Sequence, residues 1–199
     1  MKILFKNANI LDPSSPFHST RKDILVSDGV IKRINDTIDD NNYDKIIRND
    51  NLHIAKGWFD SSVSFGEPGY EERETLDNGL DVAAASGFTK ILLNSNTFPI
   101  PDSNSTISHL IKIGQNKTTS LFPIGSLTIN AEGKELASLY DMHINGAIAF
   151  GDHKSSIKSE NLLKIALQYV QSFNGIIISL PINQEIARGG LIHEGKISL

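Results

Sequence analysis

Apolar and polar residues alternate in two different ways along the 199-residue chain, and the change falls near residue 55. Before it, short apolar segments are separated by polar turns. These segments are residues 3–5, 8–11, 23–26 and 30–34. Asp28-Gly29 stands between the last two, and an Asp-Gly pair flanked by apolar residues is typical of a β-hairpin. The first 55 residues are therefore predicted to form short strands joined by turns.

Beyond residue 55, apolar runs alternate with segments of helical periodicity. The apolar runs at residues 91–93, 121–124, 147–150 and 175–178 are typical of buried parallel strands, and residues 56–65 are predicted as a further strand before them. Helical spacing is found over residues 72–86, 103–113, 134–143 and 159–173, with Ser159 as a predicted N-cap. Repeated strand–helix units predict an α/β fold with a parallel sheet, either doubly wound or closed into a barrel.

Composition narrows the classes of function. The chain is 39% hydrophobic and 21% charged, as expected of an ordinary globular protein. The chain has 19 basic and 23 acidic residues. The basic residues are not clustered in a run, so we expect no nucleic-acid partner. No apolar stretch reaches the roughly 20 residues of a membrane span, and the N-terminus turns polar too soon for a signal peptide. The absence of cysteine removes disulfides and thiolate ligands, which fits a cytoplasmic location.

The segment from Lys56 to Gly69 carries the most specific motif of the chain. It reads Lys-Gly-Trp-Phe-Asp-Ser-Ser-Val-Ser-Phe-Gly-Glu-Pro-Gly. This segment resembles the signature of the cyclic amidohydrolases, and of dihydroorotases in particular. In that family an apolar strand carries Asp-x-His-x-His, then an apolar residue, then Arg-Glu-Pro-Gly. Asp60 and Glu67-Pro68-Gly69 match, whereas Ser62 and Ser64 stand at the histidine positions and Gly66 at the arginine position.

The resemblance covers nearly the whole chain and implies a fold. It selects a (β/α)₈ TIM barrel, with residues 1–55 as the N-terminal portion of a small β-sandwich and residues 56–199 as the first part of the barrel. A closed barrel has eight strands and typically needs about 250 residues. Five strands are predicted here, so the chain is expected to be the N-terminal half of a dihydroorotase-like protein.

The residues that replace the histidines bear on the chemistry. On a strand, residues i and i+2 point to the same face, so two imidazoles placed there can bind one divalent cation. The serine hydroxyls of Ser62 and Ser64 are poor zinc ligands at neutral pH. An arginine could hold a substrate carboxylate with two hydrogen bonds, and Gly66 offers none.

A third histidine position is also changed. Residues 176–183 resemble the family strand that ends in Ser-His-Ala-Glu-Asp, whose histidine ligates metal, and the aligned residue here is Leu180. The register comes from residues 187–195, which resemble the family's Gly-Gly-Val-Met-Asn-Glu-Gly. Three imidazole positions are thus lost together with the arginine, and no cofactor is predicted, although active family members use zinc.

Two further segments resemble family loops that follow strands. Asn94-Ser95-Asn96-Thr97-Phe98-Pro99 resembles Pro-Asn-Thr-Asn-Pro, whose first asparagine binds the substrate carboxylate, so Asn96 is a candidate substrate-binding residue. It could equally bond its own loop backbone. Residues 146–153 resemble Gly-Ala-x-Ala-Phe-Thr-Asp-Asp-Gly, in which an aspartate ligates metal in one branch of the family. Asp152 is therefore a vestigial metal-ligand candidate or simply an acidic loop residue, and His153 is expected to face solvent.

Two functions remain open on this evidence. The first is a pseudo-dihydroorotase without metal-dependent activity, which serves as a structural partner of aspartate transcarbamoylase or associates with itself. The second is an active dihydroorotase of pyrimidine biosynthesis that hydrolyses a cyclic amide. Ser62, Ser64 and Leu180 favour the first, and in that reading no residue of the chain is catalytic.

Overall fold

The computed structural model describes residues 1–39, 42–187, 190 and 195, and these form two compact units. The units are Met1–Gly57 and Trp58–Leu199. The division therefore lies between Gly57 and Trp58. Each unit has its own sheet and its own apolar core.

The described residues of the first unit form one five-stranded sheet, where the sequence predicted a portion of a sandwich. Its strands are β1 (Lys2–Leu11), β2 (Arg21–Ser27), β3 (Val30–Asn35), β4 (Lys45–Arg48) and β5 (His53–Ala55). The order is β3-β2-β1-β4, and β5 also pairs with β1. The predicted hairpin is confirmed, because Ser27 pairs with Val30 across Asp28-Gly29. The predicted segments 3–5 and 8–11 are one strand, which is interrupted by a bulge at Asn7, where φ is +52°.

A buried carboxylate holds the first unit together beside its apolar core. Asp23 is 4% exposed and accepts a hydrogen bond from the Lys6 ammonium at 2.6 Å. It also accepts the backbone N–H groups of Asn7 and Ile38, each at 2.9 Å. Burial alone would raise the pKa of Asp23, but these three donors outweigh it and hold the pKa below its usual value.

The second unit is built from repeated strand–helix segments, as predicted. Its strands β6 (Trp58–Val63), β7 (Phe88–Leu93), β8 (Ser120–Gly125), β9 (Ala149–Phe150) and β10 (Ile176–Ile177) lie parallel and in chain order in one sheet. The helices between and after them are α1 (Leu76–Ala85), α2 (Asn104–Ile113), α3 (Leu139–Ile144), α4 (Glu160–Val170) and α5 (Gln184–Ala187). Short 3₁₀ helices span Ile129–Ala131 and Gln171–Phe173.

Local sequence explains where these helices begin. The Thr75 hydroxyl accepts the N–H of Asn78 at the start of α1, and Ser159 accepts the N–H of Leu162 at the start of α4, as predicted. The helix predicted over 134–143 is wrong in its first half, because α3 begins only at Leu139. Residues 135–137 pair instead with the segment before them: the Ile129 N–H donates to the Glu135 carbonyl at 2.9 Å, and the Ala137 N–H donates to the Leu127 carbonyl at 3.0 Å.

The parallel sheet of the second unit is apolar on both faces. On one face Ile91 and Leu93 pack against Leu80 of α1 and Leu110 of α2. On the other face Leu92, Ile124 and Ala149 form a separate buried cluster. Burial on both faces is the reason that these strands read as continuous apolar runs in the sequence.

Both outer strands of this sheet have an unpaired edge within the described residues. β6 pairs only with β7, and β10 pairs only with β9. Large side chains on these strands face water: Trp58 is 67% exposed, Phe59 56% and Ile176 59%. Such edges accept further strands, and such apolar surface favours association.

We therefore expect residues 1–199, expressed alone, to self-associate. Sedimentation velocity over a range of protein concentrations should give an average mass that rises with concentration. Lys replacement of Trp58 and Phe59, which puts charge on an open edge strand, should shift the distribution toward monomer. Val82 is also exposed, at 54%, but lies on a helix, so its lysine variant is the control. A concentration-independent monomer with a cooperative unfolding transition would contradict this expectation.

Candidate functional site

The carboxyl ends of β6 and β7 carry a connected cluster of four polar side chains. The Asn94 amide nitrogen donates to the Ser62 hydroxyl at 3.2 Å and to the Ser64 hydroxyl at 3.0 Å. The Ser64 hydroxyl donates in turn to the Asn96 Oδ1 at 3.2 Å. The structure thus brings together the two serines at the histidine positions and the candidate substrate-binding residue Asn96. We call these four residues the serine–asparagine cluster.

Asn94 is the member of the cluster that sequence reasoning missed. It is 8% exposed and follows β7 directly, and its backbone N–H donates to the Val63 carbonyl at 2.8 Å. The pairing of β6 with β7 shifts register between Asp60 and Val63, and both serine hydroxyls reach the same amide nitrogen. A polar residue placed directly after a buried strand was the available signal, since loops at this end of parallel strands build sites.

The glycine at the arginine position lies in a conformation that other residues avoid. Gly66 is buried and has φ of +132°. A Cβ atom there would lie 2.4 Å from the Tyr70 carbonyl oxygen and 3.2 Å from the Arg73 Cβ. An arginine would therefore clash with the loop backbone as it is folded here. An arginine at this position would therefore require a different loop conformation and not only a different side chain.

The motif residues that match the family pattern have structural contacts. The Glu67 carboxylate accepts the N–H of Leu76 at 2.6 Å, which satisfies a free donor at the start of α1. The Pro68 carbonyl accepts the N–H of Phe98 at 2.8 Å. Gly69 has φ of +96°, and a Cβ there would lie 2.3 Å from the Phe98 carbonyl oxygen. These contacts join the loop after β6 to α1 and to the loop after β7, so the matching half of the motif supports the scaffold.

Asp152, the vestigial metal-ligand candidate, is buried at 4% exposure, and both of its carboxylate oxygens accept hydrogen bonds from the protein. Its Oδ1 accepts the Ser126 hydroxyl and the backbone N–H groups of Leu127 and Thr128, each at 2.9 Å. Its Oδ2 accepts the Thr128 hydroxyl at 2.5 Å. The carboxylate therefore ties the end of β9 to the loop that follows β8. Its oxygens are directed at protein donors, so a cation would have to displace these hydrogen bonds.

His153 and Leu180 add no ligand to this arrangement. His153 is half-buried and has φ of +49°, so the expectation that it faces solvent is only partly met. Burial lowers its pKa, and the neighbouring Lys154 charge lowers it further. Leu180, which the sequence resemblance aligned with a third imidazole, is half-buried after β10 and has no atom that can bind a metal. Most of the run 187–195, which set its alignment, lies outside the described residues.

The donor set does not fit a zinc ion. The three residues that the resemblance aligned with imidazoles carry two hydroxyls and an alkyl side chain, and the carboxylate of Asp152 accepts four hydrogen bonds. In the part of the chain that the structure describes, no three His, Cys, Asp or Glu side chains are grouped so that they could hold a metal ion. Zinc prefers imidazole, thiolate and carboxylate ligands, so a site of serine hydroxyls would be weak.

Comparison with known proteins shows the family of the chain. A family model described as dihydro-orotase-like matches residues 53–198. The chain belongs to this dihydroorotase-like family. It is 32% identical to the dihydroorotase of Pelotomaculum thermopropionicum over 198 residues and 33% identical to that of Syntrophus aciditrophicus over 200 residues. Each match covers 100% of this chain, but only 46% and 47% of the respective relative, so the chain spans about half of their length.

Solved structures agree with the fold. The L-hydantoinase (dihydropyrimidinase) of Arthrobacter aurescens superposes with a TM-score of 0.73 at 20% identity, over 94% of this chain and 42% of that one. A dihydroorotase crystal structure superposes with a TM-score of 0.59 at 12% identity, over 94% of this chain and 54% of that one. The described helices are too short or too polar for any of them to cross a membrane.

Proposed function

We propose that this chain is the N-terminal half of a metal-free pseudo-dihydroorotase. In this proposal the parallel sheet of the second unit supplies the first five strands of a (β/α)₈ barrel, and the first unit supplies part of a sandwich. The observation that carries the proposal is the serine–asparagine cluster, in which the Asn94 amide nitrogen donates to the hydroxyls of Ser62 and Ser64, the residues aligned with two zinc-binding histidines. Membership of the dihydroorotase-like family supports a role in pyrimidine biosynthesis.

The pattern of retained and lost residues supports a structural role. Glu67, Pro68 and Gly69 keep contacts that hold the loops in place, whereas Ser62, Ser64 and Gly66 lack the groups that would act on a substrate. A protein kept only for its shape needs the first set and not the second. We propose aspartate transcarbamoylase as the partner that this scaffold would support in the cell, and self-association as the alternative.

Asn96 keeps a donor with which it could hold a ligand. Its Oδ1 accepts the Ser64 hydroxyl, and within the described residues its amide nitrogen donates to no protein acceptor. That nitrogen could bind a carboxylate oxygen, in line with the role expected from the sequence. Binding of carbamoyl-aspartate or dihydroorotate without turnover is compatible with a pseudoenzyme.

Zinc analysis is the direct test of the proposal. Because the donor set does not fit zinc, the full-length protein purified without chelators should hold well below one zinc ion per chain. Inductively coupled plasma mass spectrometry gives the ratio. Addition of zinc should produce no turnover of dihydroorotate, followed by its ultraviolet absorbance. Stoichiometric zinc, or zinc-dependent turnover, would favour an active dihydroorotase instead.

Association is tested separately from catalysis. The full-length protein and the aspartate transcarbamoylase of the same organism should co-elute in gel filtration. Removal of the pseudo-dihydroorotase should lower the activity of the transferase. Separate elution at micromolar concentrations, with unchanged transferase activity, would remove this partner and leave the metal-free assignment standing.

Restored histidines are expected to regain zinc before activity. In the variant Ser62→His, Ser64→His, Leu180→His, the first two imidazoles start from positions that already converge on one amide nitrogen. We expect zinc affinity to rise by about tenfold or more over the parent protein, with no turnover, because Asp152 stays engaged and second-shell partners are missing. Isothermal titration gives the affinity.

A matched control isolates the geometry of that site. The variant Ser61→His, Ser62→His, Leu180→His has the same number of imidazoles, but adjacent strand residues point to opposite faces. It should gain much less affinity. Equal zinc affinities for the two variants would show that the serine positions do not converge in solution.

A further inference from the structure

A lysine-rich cleft lies between the loops that follow β8 and β9. Its volume is about 490 Å³, within the range of roughly 300–1,000 Å³ found for small-molecule sites. Lys134, Lys154 and Lys158 line it, together with Ser155 and Ser156 and one carboxylate, Glu132. None of these six residues belongs to the serine–asparagine cluster, which is built on β6 and β7.

The cations of this cleft are only partly neutralised by the protein. Lys134 pairs with Glu132 at 2.7 Å, and that contact is the first cause of the lowered pKa of Glu132. The Lys158 charge lowers the same pKa a little further. Within the described residues, neither Lys154 nor Lys158 forms an ion pair or a hydrogen bond. In a chain of net charge −4, this concentration of positive charge is local and is not a consequence of composition.

The cleft has a rigid frame. The Thr128 hydroxyl, which donates to the buried Asp152 carboxylate, accepts the N–H of Gly133 at 2.8 Å. Gly133 is buried at φ of +71°, and a Cβ there would lie 3.0 Å from the Ser156 carbonyl oxygen. The two loops therefore approach each other as closely as a glycine allows. Their separation is fixed by a buried carboxylate and not by the exposed lysines.

The neighbouring turn is held in an unusual backbone conformation. Asn130 and Ala131 have φ of +50° and +54°, values that residues with a side chain rarely adopt. The Asn130 N–H donates to Asp102 at 2.9 Å and the Ala131 N–H to the Thr128 carbonyl at 3.0 Å, which stabilises the turn. Strained conformations persist where the surroundings over-determine them, and they are frequent at ligand sites.

We propose that this cleft binds a phosphorylated small molecule, with its phosphate oxygens on Lys154, Lys158 and the hydroxyls of Ser155 and Ser156. Ammonium groups bind phosphate as point charges, and serine hydroxyls supply neutral donors beside them. The cleft is larger than an inorganic phosphate ion, so the ligand carries an organic group of sugar-phosphate or nucleotide size. The site is separate from the serine–asparagine cluster, and its occupancy is independent of the metal-free assignment.

Lysine acylation in the full-length protein tests the site whatever the oligomeric state. Mass spectrometry measures the rate of acetylation of each lysine at limiting reagent, with and without millimolar inorganic pyrophosphate, at constant ionic strength. Lys154 and Lys158 should react several-fold more slowly with pyrophosphate. Lys112 and Lys164, which are exposed on α2 and α4, should keep their rates and serve as internal controls.

Equilibrium dialysis of labelled pyrophosphate then assigns the binding. The double variant Lys154→Gln, Lys158→Gln should raise the Kd by roughly tenfold or more, since the loss of even one charged contact costs about that factor. The double variant Lys112→Gln, Lys164→Gln, which removes the same charge, should leave the Kd unchanged. The proposal would be overturned by an equal rise of the Kd in both double variants, or by equal protection of all four lysines from acetylation. It would also be overturned if a single-stranded oligonucleotide, but not pyrophosphate, protected Lys154 and Lys158.

Discussion

Replacement of Asp152 by alanine is expected to lower the free energy of unfolding of the full-length protein by about 3–5 kcal/mol. The substitution removes the acceptor of four hydrogen bonds. It leaves the N–H groups of Leu127 and Thr128 and the hydroxyl of Thr128 buried without it, whereas the Ser126 hydroxyl still has the Thr128 carbonyl as an acceptor at 2.7 Å. Urea unfolding followed by circular dichroism measures the change.

Two further variants serve as controls for the Asp152→Ala measurement. Asp152→Asn keeps the shape but turns one acceptor oxygen into an N–H donor that faces protein donors, so it should be destabilising by a smaller amount. Asp141→Ala removes an exposed carboxylate from α3 and should change the free energy of unfolding by less than about 0.5 kcal/mol. If Asp152→Ala were as mild as Asp141→Ala, the carboxylate would not be the buried acceptor described here.

Replacement of Gly66 by alanine is expected to cost about 2–4 kcal/mol, and replacement by arginine at least as much. Two costs add at this position: φ of +132°, which a residue with a side chain rarely adopts, and a Cβ atom 2.4 Å from the Tyr70 carbonyl oxygen. The restored arginine should therefore weaken the fold before it can help any ligand to bind. Urea unfolding of the full-length variants gives both values.

Gly29 supplies the matched control for the steric part. Its φ is +76°, but a Cβ atom there would meet nothing within 4 Å. Gly29→Ala should therefore cost only the conformational strain, about 1 kcal/mol. Equal losses at the two glycines would show that the loop after β6 relaxes freely, and the arginine position would then be open to restoration.

Much of the fold could be predicted from periodicity, because most strands and helices are determined by residues that lie within or beside them in the sequence. The runs that became β7 and β8 are apolar on both faces, since both faces of the sheet are covered. The turn at Asp28-Gly29 and the cap at Ser159 depend on residues only a few positions away. The late start of α3 was missed, because residues 135–137 bond to the backbone of residues 127–129, and the helical spacing of 134–143 does not reveal that pairing.

The candidate site was less accessible to sequence reasoning, because its contacts join distant segments. The resemblance named Ser62, Ser64 and Asn96, but not Asn94, which connects them from about 30 residues away. Asp152 was singled out as a former metal ligand, whereas its hydrogen-bond partners lie on the loop after β8. The sequence shows that serines stand where the family pattern has histidines. It does not show that the Asn94 amide bonds to both of those serines.

The bond between Asn94 and the two serines has a consequence for how the protein is made. A zinc-bound strand end reaches its final arrangement only after a metal has been delivered, and a chelator can undo it. Here the corresponding end of β6 is tied to β7 by side chains that arrive with the polypeptide itself. The yield of correctly folded protein should then be the same in zinc-starved and zinc-replete cells.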